Sequence, residues 1–202
     1  MHLILPDLDL PTRVILGDMR PLGDDEFFDF CVTNPDLRIE RNAKGEIVIV
    51  PPAGGESDYR NSDLHGQVWS WAKRDKRGKA FGSSVCFLLP DGSGLSPDVA
   101  WVDSTKLNAL TKETRKKFLP VVPDFVAEVM SPSDRLKAAQ EKMEQWVANG
   151  VSLAWLIDGD HETVYVYRRG QAVAKYSNVD QLAADPPMTE FVADLADIWE
   201  GL

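Results

Sequence analysis

The sequence predicts a mixed α/β domain built around a central β-sheet. Two observations support this fold class. Apolar runs of strand length outnumber helical patterns, and most of them form pairs around turn residues, as β-hairpins do. The apolar run at residues 125–130 is instead followed by a helical pattern and then by another apolar strand, which is the order of elements in a layered fold with helices packed on a sheet.

The predicted elements follow one another closely along the chain. In order they are a short helix at 23–34, a hairpin with strands at 37–40 and 47–50, a loop at 51–58, a helix at 61–76, a hairpin with strands at 83–89 and 95–102, a polar helix or long loop at 104–117, a strand at 125–130, a helix at 131–149, a hairpin with strands at 153–157 and 163–167 that 172–176 extend, and a short C-terminal helix. Ser131 is the expected N-cap of the long helix after the 125–130 strand, with Asp134 in the capping box.

The composition is that of one ordinary globular domain. The chain has 202 residues, an apolar share of 44% and a charged share of 27%, which fit a single core. Its net charge of −10 argues against a protein that coats nucleic acid by charge alone. An enzyme acting on nucleic acid is not excluded, because a bound metal ion offsets the charge of its carboxylate ligands. Cys31 and Cys86 lie in apolar surroundings, which predicts buried free thiols.

The N-terminal residues do not resemble a targeting segment. Asp7 and Asp9 stand near the start without a basic lead, so neither a signal peptide nor an anchor is expected. No apolar run approaches the roughly 20 residues that span a bilayer. We therefore expect a cytoplasmic protein without a membrane partner, in which residues 1–22 form an N-terminal arm and residues 23–202 a single domain.

Glu128 is the most informative acid in the sequence, because it stands within an apolar strand. Strand alternation places it on the same face as Val126 and Met130, opposite Phe125. A buried carboxylate is costly without a cation, a hydrogen-bond donor or a metal. The alternative is an edge strand with Glu128 in solvent, and the strand pattern alone favours neither.

Four other polar residues are ambiguous when each is taken alone. Asp98 follows a proline, as in many turns, and Glu40 could simply end its strand. Lys142 lies at the edge of the apolar stripe of the 131–149 helix, where the ammonium group of a lysine often reaches water. Gln140 lies within that stripe, where a buried amide needs hydrogen-bond partners. The stripe consists of Leu136, Ala139, Met143, Trp146 and Val147.

Several segments stand out when they are taken together: RIERNAKGEIVIVPPAGG, SPDVAWV, PDFVAEVMSPSD, QEKM, GVSLAWLID and VYVYR. They resemble a large bacterial family of putative restriction endonucleases, formerly a domain of unknown function, and the resemblance runs from about residue 24 to residue 199. That family is placed in the PD-(D/E)XK nuclease superfamily. The resemblance implies a restriction-endonuclease-like fold, with a central mixed sheet built from hairpins and flanked by helices.

The resemblance also implies a set of site residues. Asp98 matches the acid of the PD motif and Glu128 that of the (D/E)XK motif, but Met130 stands where the simple motif has lysine. In this family a lysine on the next helix is taken to replace it, and Lys142 matches that position. Glu40 matches the acid of the first hairpin, and Gln140 falls where a polar residue is often seen beside the lysine.

The implied activity is hydrolysis of phosphodiester bonds by a Mg²⁺- or Mn²⁺-dependent endodeoxyribonuclease. Asp98, Glu128 and the backbone carbonyl of Val129 would bind one ion, and Glu40 a second ion or a water. Lys142 would orient the water or stabilise charge on the phosphate. DNA and a second copy of the chain are the expected partners, with the basic stretch 60–79 either contacting the DNA backbone or forming an ordinary solvated helix.

Two alternatives to a nuclease remain at this point. The first is a catalytically inactive module on a nuclease fold that binds nucleic acid or protein. The second is a metal-dependent hydrolase of another phosphoester.

Overall fold

A computed structural model gives the structure of the chain and describes residues 12–14 and 20–202. The strands are β1 (Thr12–Val14), β2 (Arg38–Arg41), β3 (Ile47–Val50), β4 (Gly78–Gly82), β5 (Phe87–Leu88), β6 (Gly94–Leu95), β7 (Val99–Asp103), β8 (Phe125–Val129), β9 (Leu153–Asp158), β10 (Thr163–Arg168), β11 (Ala174–Ser177), β12 (Gln181–Ala183) and β13 (Val192–Asp194). The helices are α1 (Asp24–Thr33), α2 (Gly55–Asp75), α3 (Ser104–Asn108), α4 (Leu136–Ala148) and α5 (Ala196–Glu200), with 3₁₀ turns at Thr114–Lys116 and Gly159–His161. The expected arm 1–22 falls mostly outside the described residues, but its strand β1 pairs with β3.

The strands of the described residues form two principal sheets. The larger has six strands in the order β11-β10-β9-β8-β7-β4, antiparallel except where β8 and β9 run parallel. The smaller has five strands in the order β1-β3-β2-β6-β5, and β12 and β13 form a separate pair. The mixed sheet and its flanking helices confirm the predicted fold class. The three predicted hairpins are also present.

The larger sheet is the middle layer of the molecule, because each of its faces is buried against helices. Strand alternation sends Phe125, Ala127 and Val129 of β8 into a core with α2 and α5. Val126 of β8 faces the opposite core, where it packs with the buried Met143 and Trp146 of α4. The two predicted faces of the 125–130 strand are therefore confirmed.

The prediction of one continuous strand at residues 95–102 is wrong, because the structure has two strands there. Its start is β6, which pairs with β2 and β5 in the smaller sheet, and its remainder is β7 in the larger sheet. The chain changes sheets between Leu95 and Val99, where Pro97 interrupts the ladder because proline has no backbone N–H to donate. Asp98 consequently lies at the crossover between the two sheets.

Helix α4 begins at Leu136, five residues after the predicted cap. The Asp134 carboxylate does accept a 2.7 Å hydrogen bond from the Ser131 N–H, and the Asp134 N–H bonds the Ser131 carbonyl oxygen at 2.9 Å. These bonds close an isolated turn, because Arg135 is extended with φ −96° and ψ 121° and the helix starts only after it. Leu136, predicted in the buried stripe, is 36% exposed at this helix end.

Helix α2 begins at Gly55, so the predicted loop 51–58 is wrong in its second half. Gly54 is the N-cap in an extended conformation, and Glu56 and Asp58 occupy the first turn, where acidic groups interact favourably with the helix dipole.

The remaining predictions concern the region 104–117, the C-terminus and the cysteines. The region 104–117 contains the short helix α3 and a 3₁₀ turn, and the predicted C-terminal helix is α5. Cys86 is buried and Cys31 half-buried, and both are free thiols as predicted.

Candidate active site

Glu128 lies within the larger sheet and not at its edge, because β8 is flanked by β7 and β9. Its side chain points toward α4 and is only 12% exposed. One oxygen, Oε1, accepts hydrogen bonds from the indole N–H of Trp146 at 3.0 Å and pairs with the Lys142 ammonium at 2.9 Å. The alternative of a solvent-facing Glu128 on an edge strand is therefore wrong.

Lys142 joins the two sheets through its ammonium group. Its Nζ lies 2.9 Å from Glu128 Oε1 on the larger sheet and 3.4 Å from Glu40 Oε1 on the smaller one. Glu40 is buried at 7% exposure, and the same Oε1 accepts the backbone N–H of Ser96 at 3.0 Å. The lysine is thus directed into the protein between two acids, and the alternative of an ammonium group in bulk water is wrong.

Asp98 is held at the crossover by contacts from both sheets. Its Oδ2 accepts the backbone N–H of Val129 at 2.9 Å, which ties it to the end of the Glu128 strand. Its Oδ1 lies 3.6 Å from a guanidinium nitrogen of Arg38 on β2. The side chain of Asp98 is 15% exposed, so it reaches solvent while remaining fixed.

The charges of these residues depend on one another. Burial raises the pKa of the Glu128 carboxyl to about 7; Lys142 opposes that shift, and the nearby Asp98 and Glu40 carboxylates add to it. Burial lowers the pKa of Lys142, but Glu128, Glu40 and Asp98 outweigh burial, and the net shift is upward. The lysine is accordingly a permanent cation at neutral pH, whereas Glu128 is close to its titration point.

The side chains of four predicted site residues therefore converge: Glu40, Asp98, Glu128 and Lys142. Gln140 is half-buried on α4, and among the described residues no hydrogen bond joins its side chain to these four. Val129 contacts Asp98 through its N–H; the use of its carbonyl as a metal ligand stays a prediction.

Two further residues complete the site and were missed by the sequence reasoning. Arg38 precedes Glu40 by two positions on β2, so alternation places both on one face of the strand. Trp146 follows Lys142 by four positions and therefore lies on the same side of α4. Both spacings are visible in the sequence and could have indicated these neighbours.

The carboxylates fit a hard divalent cation that keeps most of its waters. Among the described residues no three Asp, Glu, His or Cys side chains converge closely enough to hold a metal alone. Mg²⁺ is commonly bound by one or two carboxylates with water and substrate phosphate, so Asp98 and Glu128 suffice. Oε2 of Glu128 receives no hydrogen bond from the described residues and is available as a ligand.

The basic stretch 60–79 divides into a buried and an exposed part. Arg60 is 5% exposed and pairs with Asp160 and Glu56, so it is structural. The exposed part comprises Lys73, Arg74, Lys76, Arg77 and Lys79. Its contact with DNA stays a prediction.

Comparison with solved structures finds the same fold in another protein. A chain titled "putative nuclease belonging to DUF820" from Anabaena variabilis superposes with a TM-score of 0.72 at 21% identity, covering 89% of this chain and 98% of its own. A DrdV–DNA complex matches weakly, with a TM-score of 0.36 at 14% identity, covering 56% of this chain and 9% of its own. Among curated proteins, no sequence matches this chain significantly.

The chain belongs to the Uma2 family. The family model, described as "Putative restriction endonuclease", matches residues 24–196. The suspected relationship is thus confirmed, and family and structural likeness together support a nuclease. None of the helices in residues 12–14 and 20–202 combines the length and apolarity needed to cross a membrane.

Proposed function

We propose that this protein is a Mg²⁺- or Mn²⁺-dependent endonuclease that hydrolyses phosphodiester bonds in DNA. The observation that supports the proposal most is the convergence of Lys142 with Glu40 and Glu128 beside Asp98, from elements distant in sequence. A fold that needed only packing at this place would avoid burying three acids and a lysine, since buried ion pairs seldom stabilise relative to apolar residues.

In this proposal Asp98 and Glu128 hold the ion, with the Val129 carbonyl completing the protein ligands. Bound there, the ion would supply positive charge to the phosphate and lower the pKa of a coordinated water. Lys142 keeps its proton at neutral pH and can stabilise charge that develops on the phosphate. Glu40 orients Lys142, and the Trp146 indole orients Glu128. Arg38 lies beside Asp98, where it can neutralise a phosphate oxygen.

The decisive test is cleavage of plasmid and single-stranded DNA in Mg²⁺, in Mn²⁺ and in EDTA. Asp98→Asn and Lys142→Met should each reduce the cleavage rate by about 10²- to 10³-fold, the usual effect of losing one electrostatic group. Lys137→Met is the matched control, because Lys137 lies on the same helix with 89% of its side chain exposed. Cleavage that persists unchanged in both site variants would place the activity elsewhere.

Metal binding can be tested without any turnover. Titration of the wild type with Mg²⁺ should raise its melting temperature, because a ligand that binds only the folded state stabilises it, by about 2.7 kcal/mol at 100 times Kd. Asp98→Asn should weaken that response, and Lys137→Met should leave it unchanged. An identical Mg²⁺ response in Asp98→Asn would exclude Asp98 as a ligand.

A second candidate function is a catalytically inactive module that binds nucleic acid or protein. Lys142 already offsets part of the charge of the two acids to which it is paired, so a metal need not be the only cation at this place. Absence of cleavage on every DNA tested, together with no response to Mg²⁺ or Mn²⁺, would favour this function. The proposed homodimer, in which two sites face two strands, is tested separately by light scattering of the purified protein.

A further inference from the structure

A cleft of about 600 Å³ opens beside the active site, between α2, β4 and the turn that follows β4. Asp98 lines one part of it, so the cleft is continuous with the proposed cleavage site. Along α2 its lining extends from Asp58 to Trp69, which are about 16 Å apart at the rise of an α-helix. The volume lies within the range of about 300–1,000 Å³ that is usual for small-ligand sites.

Trp69 gives this cleft an exposed aromatic surface. The residue is 48% exposed, unusual for tryptophan, and no core of the described residues contains it. The ammonium group of Lys73, which does not itself line the cleft, lies over this ring at 4.7 Å from its centroid, so a base would stack on the opposite face. An aromatic face next to a cation complements a nucleotide, which combines a flat base with an anionic phosphate.

The remainder of the cleft offers hydrogen-bonding groups that suit the edge of a base. Asn61 supplies an amide, Asp58 a carboxylate, and Ser83 and Ser84 supply hydroxyls. The imidazole of His65 also lines the cleft, and burial lowers its pKa. Its Nε2 is buried without a hydrogen-bond partner among the described residues, and most buried polar atoms in native proteins have such a partner.

We propose that this cleft binds an unpaired nucleotide next to the scissile phosphate, with its base stacked on Trp69 and its neighbouring phosphate near Lys73. A base inside a duplex cannot stack on a protein ring, because both of its faces are covered by adjacent bases. The preferred substrate is therefore a single strand, or a duplex with an extruded base. This assignment rests on the proposed function only for the role of Asp98 at one end of the cleft.

The test measures binding without requiring turnover. Fluorescence anisotropy is recorded for labelled oligo-dT, labelled oligo-U and a blunt duplex of the same length, first in EDTA and then in Ca²⁺, which takes the same carboxylate oxygens as Mg²⁺. The wild type should bind single strands more tightly than the duplex. Comparison of oligo-dT with oligo-U shows whether DNA or RNA is preferred.

Trp69→Ala should weaken binding of the single strand about 5- to 150-fold, as loss of a stacking ring does. Trp69→Phe should retain most of the affinity, because it keeps an aromatic face. Lys73→Ala should also weaken binding of the single strand, because it removes the cation proposed to lie near the phosphate. Lys175→Ala is its matched control, since Lys175 lies 5.6 Å from the Tyr165 ring at a site remote in the fold. Urea unfolding of each variant verifies that it is folded.

Each outcome decides the proposal. Equal affinity for duplex and single strand, or single-strand binding that Trp69→Ala leaves unchanged, would overturn it, as would absence of binding to all three probes. If Trp69→Ala weakens single-strand binding in EDTA, the cleft proposal is supported even when neither the wild type nor Asp98→Asn shows cleavage. Failure of the endonuclease proposal is thereby distinguished from failure of the cleft proposal.

Discussion

The two faces of strand β8 differ in what they bury. Toward α2 and α5 the strand presents Phe125, Ala127 and Val129, all in an apolar core. Toward α4 it presents Val126 and then Glu128, whose charge is met by Lys142 and the Trp146 indole. The first face is organised for stability and the second gives up apolar packing for a charged group, which is the usual difference between a core and a site.

The largest expected effect is on the apolar face. Trp155 of β9 is fully buried there and packs edge-on against Phe125, with ring centroids 5.5 Å apart. Trp155→Ala should lower the free energy of unfolding by about 3 to 5 kcal/mol, because it leaves a large cavity. Urea denaturation measures this, with the exposed Val173→Ala expected to change it by less than about 0.5 kcal/mol. A loss for Trp155→Ala no larger than for Val173→Ala would contradict the assigned core.

On the charged face, the free energy of unfolding that a substitution removes should depend on pH. Lys142 opposes the upward shift of the Glu128 pKa, now about 7, so Lys142→Met should raise that pKa further. An acid whose pKa is higher in the folded than in the unfolded state destabilises the fold when ionised, and that cost disappears as pH falls from the folded pKa toward its ordinary value of 4.5.

Lys142→Met should therefore cost about 3 kcal/mol at pH 8 and clearly less at pH 5. Urea denaturation at both values measures the difference. Lys137→Met serves again as the exposed lysine control, and it should show no comparable pH dependence. A loss that is equal at both pH values would mean that Lys142 does not neutralise Glu128.

A smaller effect is expected where α4 is tied to the turn between β5 and β6. Burial raises the pKa of Asp91, but hydrogen bonds from Ser93, Asn149 and Gln145 outweigh it and lower the pKa to about 2. A carboxyl whose pKa is lowered in the folded state stabilises the fold at pH values above its ordinary pKa of 3.8. That contribution is lost as the pH falls toward about 2.

Asp91→Asn should accordingly cost about 1 kcal/mol at pH 6, since the group is exposed and solvent screens it. The difference from the wild type should shrink at pH 3, and urea denaturation at the two pH values measures it. Asp180→Asn, at an exposed position elsewhere, is the control. A difference that grows on acidification would contradict the sign of the shift.

The contrast between the two faces of β8 was largely predictable from the sequence. Alternation in residues 125–130 indicated two faces, and one acid among apolar neighbours singled out Glu128. What alternation could not show was whether the strand was central or at an edge, because that depends on strands β7 and β9 contributed from distant sequence. Lys142, the charged partner of Glu128, was for the same reason predicted from the family resemblance and not from local pattern, and Trp146 was not predicted.

Two local predictions failed because the same residue is compatible with more than one backbone structure. Asp134 makes the predicted bond to Ser131, but that bond closes a turn as readily as it caps a helix. Pro97 was included in a strand, although its missing N–H favours a break in the ladder. That break carries Asp98 out of the strand and into the site.

The position of the acids has a consequence for how the protein could lose its site. Glu40 lies on β2, which packs with β3 on a cluster around Phe27, Phe30 and Ile47, whereas Glu128 and Lys142 belong to the larger sheet and α4. Local opening of that cluster would separate Glu40 from Lys142 while the central core stayed folded, because regions of a protein open with different free energies. The integrity of the smaller sheet is thus a condition for the site to exist, independent of the stability of the whole chain.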